Sequence, residues 1–130
     1  VPDPGFTVGL FWGLNAKNQA LLAADYLKSL KQSGAKIAAF GAAAKGCVFL
    51  NAAKLDHNTI GYIVDDTDTK QYKFMPGTGI QILPREQLTT NPPDYILILA
   101  HNFKDYIMSS LRKTYQGKFI VMIPEIQVYE

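Results

Sequence analysis

The amino-acid sequence predicts an α/β fold, a doubly wound sheet of about five mainly parallel strands with helices on both faces. Three observations carry that expectation. Apolar stretches of strand length alternate with segments of helical periodicity. The strands read as near-continuous apolar runs, the pattern of burial on both faces. The first strand opens through a small-residue loop directly into a helix, as nucleotide-binding α/β units begin.

Positions 15 to 33 put Ala20, Ala24, Leu27 and Leu30 at helical spacing, leave Lys17, Lys28 and Lys31 for solvent, and place Gly34 to end the helix. Lys36 to Phe40 reads as a short buried strand. It runs into Gly41-Ala42-Ala43-Ala44-Lys45-Gly46, after which Val48, Phe49, Ala52 and Ala53 resume helical spacing. A second strand, Ile60 to Val64, stops at Asp65-Asp66, and a polar stretch through Lys73 leads to the turn Met75-Pro76-Gly77-Thr78-Gly79. Ile80 to Leu83 is the third strand. Pro84 suits the first turn of a short helix carrying Glu86 and Leu88, which Pro92-Pro93 closes before the strongest strand, Tyr95 to Leu99. Asn102 is placed to cap a further helix, with Phe103, Ile107, Met108 and Leu111 on one face and Gly117 at its end. Phe119 to Ile123 supplies the fifth strand before Pro124. Right-handed crossovers and a switch point beside the first strand predict the strand order 3-2-1-4-5.

The chain of 130 residues has the length of one domain, with 48% apolar residues to fill a core. Thirteen Lys plus Arg against eleven Asp plus Glu leave a net charge of +2. That is far from the basic excess of a domain that grips nucleic acid by its phosphates, so no nucleic-acid partner is expected. No apolar run approaches the roughly 18 residues of a membrane span. Cys47, the single cysteine, excludes an internal disulfide and a cysteine-rich zinc site. With no signal peptide legible, the reducing cytoplasm is the expected compartment. Val1 and the breaker-rich Pro2-Asp3-Pro4-Gly5 read as the start of a piece of something longer, with residues 1–13 as a linker or interdomain segment. Phe11, Trp12 and Tyr72, aromatic residues in polar or glycine-rich surroundings, are placed to cover a ligand or to meet a neighbouring domain, and the Gly9–Gly13 aromatics read equally as a local hydrophobic clamp on the first helix.

In such a sheet ligands bind outside the carboxyl ends of the strands, so the loops at 41–46, 65–79, 100–103 and 124–126 should share one rim. Gly41 and Gly46 let backbone N–H groups approach a ligand, while a helix N-terminus and Lys45 add positive charge, a combination that suits phosphate. A plain tight strand-to-helix turn fits the same residues, because the loop is neither a Walker A motif nor the full dinucleotide fingerprint. Asp65 follows Gly41 at close to the roughly 20-residue spacing of an acid that holds a ribose hydroxyl. A solvated pair of carboxylates, Asp65 and Asp66, reads equally well. His57 reads as a surface residue, whereas His101 would face the rim, where its ring can stack on a base or donate to a phosphate. Asn102 has two readings, a rim contact or a capping box with Asp105. Residues 1–54 carry six lysines against two acids, and residues 55–94 three bases against six acids, a division that favours an anionic ligand near the first helical unit.

GAAAKG with Leu50-Asn51, then VDDTDTKQYKFMPGT, PPDYILILAHNF and GKFIVMIPE, resemble in that order the C-terminal domain of the sugar C-methyltransferase family across residues 14–128. The resemblance implies a Rossmann-like C-terminal domain of a longer enzyme that methylates a carbon of a nucleotide-linked deoxysugar. It implies an N-terminal zinc-binding region, and a central domain holding S-adenosylmethionine and the catalytic base. The chain itself would be catalytically silent alone, with no cofactor of its own, and would help hold the nucleotide-sugar. Carried over by residue, Gly41, Ala43, Lys45 and Gly46 match the family's small-residue loop and Asn51 the helix after it. Asp65, Asp66, Lys70, Pro76, Gly77 and Thr78 match the second-strand segment, and Asn102 and Pro124-Glu125 the later rim. Cys47 and His101 depart from the pattern, which would have a polar residue and a tryptophan there. Two other readings of the same chain are a free-standing module for a dinucleotide or coenzyme A, and an interaction domain that orients its neighbours.

Overall fold

The computed structural model describes residues 10–122 and 127–130, with side chains for these positions except 10–20 and 101. Ile123, Pro124, Glu125 and the segment 1–9 lie outside the described residues, as do the side chains of Phe11, Trp12 and His101. Helix α1 spans Leu10–Gln32 and so begins ahead of position 15, within the segment 1–13 read as a linker or interdomain segment. It buries Ala23, Ala24 and Leu27 completely or nearly so. Gly34, at φ +98°, ends it. There the Gly34 N–H donates to Lys31 O at 3.0 Å and the Ala35 N–H to Leu30 O at 3.1 Å, the paired bonds of a Schellman stop.

Seven strands follow: β1 (Ile37–Phe40), β2 (Ile63–Val64), β3 (Phe74–Met75), β4 (Ile80–Leu83), β5 (Tyr95–Ile98), β6 (Lys118–Val121) and β7 (Gln127–Tyr129). Between them lie α2 (Ala44–Ala52), α3 (Gln87–Thr90) and α4 (Lys104–Leu111). They form one sheet in the order β3-β4-β2-β1-β5-β6-β7. The central five strands are all parallel, and their order is the one the crossover rule predicts. The expected count of five is corrected to seven, because β3 and β7 pair antiparallel at the two edges. Both are very short and lie next to turn residues, so neither shows an alternating pattern of its own.

Successive residues of each strand point to opposite faces, and two separate cores result. Ile37, Ala39, Ile63, Leu97 and Ile120 pack with Ala23, Ala24 and Leu27 of α1 and Leu50 of α2. Ala38, Phe40, Val64, Ile96, Ile98, Phe119 and Val121 pack with Leu88 of α3 and Ile107 and Leu111 of α4. The result is a mixed α/β molecule with a mostly parallel sheet between two helical layers. Below the sheet's amino-terminal edge, the Tyr62 hydroxyl donates to Asn91 O at 2.8 Å and the Tyr115 hydroxyl to Pro93 O at 3.0 Å. Burial pushes the Tyr62 phenol up to about 12, so the donor keeps its proton at neutral pH. Among the described residues no helix is long and apolar enough to cross a membrane.

Candidate functional site

Strand order reverses at β1, whose following strand β2 lies on one side and β5 on the other. At that point the carboxyl ends of β1 and β5 part, which is where an open α/β sheet holds its ligand. Phe40 ends β1, and Gly41 turns the chain at φ +104° while its N–H donates to Val64 O at 2.9 Å. Ala43 is extended, and α2 starts at Ala44 without a side-chain cap. Lys45 and Gly46 therefore stand in the first turn of a helix rather than in the loop. A methyl group on Gly46 would lie 3.1 Å from the Leu99 side chain, so α2 approaches the end of β5 closely at this glycine.

A cleft of about 330 Å³ opens here, lined by Gly41, Ala43, Ala44, Lys45, Gly46, Leu99, Ala100, Asn102 and Phe103. Five of the residues singled out in the sequence, Gly41, Ala43, Lys45, Gly46 and Asn102, thus converge on one cavity. Asn51, Asp65 and Asp66 are absent from its lining, and the His101 side chain lies outside the described residues. Ala100 and Phe103 fall in the 100–103 loop expected at the rim, and Leu99 is the lining residue that sequence reasoning left in a strand. Phe103, read on one helix face with Ile107, Met108 and Leu111 as well as in the rim loop, is 65% exposed. Asn102 does not cap α4, because a 3-10 turn over His101–Phe103 precedes that helix and its first position has no side-chain cap. The capping-box spacing to Asp105 is present, but the extra turn carries Asn102 out of the capping position.

Asp65 is buried at the end of β2, and its carboxylate accepts the Ala42 N–H at 2.7 Å and the Thr67 N–H at 2.8 Å. Lys70 Nζ donates to Ala42 O at 3.0 Å, so side chains of one segment hold both polar groups of the Ala42 backbone. Burial pushes the Asp65 carboxyl up, but the Ala42 and Thr67 N–H groups and the Lys70 charge outweigh it and hold the group below its ordinary value. The solvated reading of the acidic pair therefore fails for Asp65. Its neighbour Asp66 is exposed and makes a two-pronged pair with Arg85, Nε to Oδ1 at 3.2 Å and Nη2 to Oδ2 at 2.7 Å. Arg85 also donates to Ser110 Oγ at 2.8 Å and lies over the Phe40 ring.

Asn51 reaches away from the cleft, its Nδ2 donating to Cys47 O in the preceding turn of α2 at 2.8 Å and to Pro76 O in the turn after β3 at 3.0 Å. Gly77, at φ +77°, presses its backbone against Asn51 Oδ1 so closely that no side chain fits between them. Thr78 is buried and braces the same turn, its hydroxyl donating to Met75 O at 2.8 Å. Among the described residues no three His, Cys, Asp or Glu side chains converge as a metal site. A second cleft, of about 140 Å³, lies at the opposite end of the strands against Lys31, Lys36 and Asn91.

The model of a family described as the C-methyltransferase C-terminal domain matches residues 14–124. The chain is also similar to the C-methyltransferase NovU of Streptomyces niveus, with 36% identity over 106 residues that make up 80% of this chain and 25% of that protein. It spans about a quarter of the length of that curated relative.

Proposed function

The chain belongs to the family of C-methyltransferase C-terminal domains, and from that premise we propose that it is the domain that holds a nucleotide-linked sugar for a methyl-transfer enzyme. The carrying observation is the convergence of Gly41, Ala43, Lys45, Gly46 and Asn102 on one cleft at the point where strand order reverses. In this reading the fold is a Rossmann-like doubly wound sheet. The phosphates lie at the amino-terminal turn of α2 beside Lys45, and the sugar projects toward the rest of a longer enzyme. Asp65 serves the site through the loop, whose Ala42 amide it holds, rather than by touching ribose.

The same reading assigns S-adenosylmethionine, zinc and the catalytic base to N-terminal and central domains, leaves this chain silent in catalysis by itself, and puts the enzyme in the cytoplasm. Zinc finds no fit among the described residues, where ligand-type side chains do not cluster.

Calorimetric titration with a thymidine-diphosphate sugar tests the proposal, with NAD, coenzyme A and S-adenosylmethionine as comparators. Selective binding of the sugar nucleotide is expected. Preference for NAD or coenzyme A would replace the proposal with a free-standing dinucleotide module. Because Lys45 is exposed, Lys45→Ala should weaken sugar-nucleotide binding by about 1 kcal/mol, the low end for a charge-assisted contact. Unchanged affinity would reduce the start of α2 to a structural turn.

A further inference from the structure

Phe103 presents an aromatic ring that is 65% exposed at the wall of the cleft, although the same helical layer buries Ile107 and Leu111 in the core. The rest of that wall is mostly apolar, with Ala43, Ala44, Leu99 and Ala100 supplying methyl and methylene surface. Among the described residues, Lys45 and Asn102 are the polar side chains of the lining, one a cation and the other a carboxamide that both donates and accepts. An apolar wall with an exposed ring, one hydrogen-bonding edge and one cation suits a ligand with a flat face, a polar edge and an anionic tail.

Resting on the nucleotide-sugar reading above, we infer that Phe103 is a specificity-determining residue that stacks on the nucleobase of the ligand, with the phosphates directed toward Lys45. The base then occupies the apolar side of the cleft against Leu99 and Ala100, and the Asn102 carboxamide meets its polar edge. Such stacking is sequence-tolerant in itself, because every base has a π-face, so discrimination between bases falls to Asn102.

The test compares thymidine diphosphate with inorganic pyrophosphate on the unsubstituted chain and on Phe103→Ala, Phe103→Leu, Phe103→Trp and Tyr106→Ala. Tyr106 is an exposed aromatic on α4 outside the cleft lining and serves as the control. Phe103→Ala should weaken thymidine diphosphate about ten-fold, in the range of base–aromatic stacking, and leave pyrophosphate affinity unchanged. Phe103→Trp should restore affinity, and Tyr106→Ala should leave it intact. The thymine methyl and H6 resonances should move upfield on binding to the unsubstituted chain, but not on binding to Phe103→Leu, which keeps apolar bulk and loses the ring current.

If thymidine diphosphate binds and Phe103→Ala leaves its affinity unchanged, or Tyr106→Ala weakens it equally, the stacking role is overturned while the nucleotide site stands. If the unsubstituted chain binds no sugar nucleotide and no nucleoside diphosphate, the substrate-domain reading falls and the stacking role with it.

Discussion

Asp65 shows how a residue type legible in the sequence takes its meaning from a partner that is not. Its spacing after Gly41 points to a ribose acid, yet its carboxylate accepts the Ala42 N–H, just beyond the end of the neighbouring strand, at 2.7 Å. No local pattern reveals a bond between residues so far apart in sequence, because only the parallel pairing of β1 with β2 brings them together. Deleting the carboxylate leaves a buried N–H unpaired, so Asp65→Ala should cost about 1 to 3 kcal/mol of stability. The folded-state value lies below the ordinary 3.8. The contribution is therefore complete above that value and is lost as pH falls through the lower folded value. Urea unfolding from neutral pH down to about pH 2.5 should show the gap between the parent chain and Asp65→Ala closing only at the acid end. A gap that stays constant through that range would remove the charged form from the account. Phe103 falls in the 100–103 loop expected at the rim, but its helical spacing to Ile107 also sets it on one helix face, and the 3-10 turn that exposes it carries no sequence signature.

Among the elements, those with many residues or a plain period are legible and those set by pairing alone are not. Gly34 marks the end of α1, and the apolar runs mark all five parallel strands in the right order. The edge strands β3 and β7 escape notice because two or three residues cannot display a period. The turn after β3 is held instead by a specific fit between Gly77 and Asn51. Gly77→Ala meets two obstacles, a positive φ and the Asn51 side chain, and should destabilise by about 1 to 3 kcal/mol. In an Asn51→Ala background the steric part disappears, so the same change should cost measurably less. A double-mutant cycle by chemical denaturation reads that coupling directly, and strictly additive costs would mean that the backbone angle alone is responsible.

At the scale of the whole molecule, two cores on opposite faces hold a parallel sheet whose order reverses beside β1, and that reversal puts the cleft between α2 and the end of β5. The general position of the candidate cleft was legible, since the small-residue loop after the first strand and the rim after the fourth predicted strand both line it. Its apolar wall was legible in part, since Ala100 falls in the loop expected at the rim whereas Leu99 reads as the end of a buried strand. The charge excess of residues 1–54 spreads over six lysines, of which Lys45 reaches the cleft lining.

The most direct measurement is an amide chemical-shift map of the isotope-labelled chain as a thymidine-diphosphate sugar is added. The account predicts perturbations concentrated at Gly41–Gly46 and Leu99–Phe103, saturating together. Perturbations confined to the opposite cleft around Lys31, Lys36 and Asn91, or a spectrum unmoved by the ligand, would contradict it.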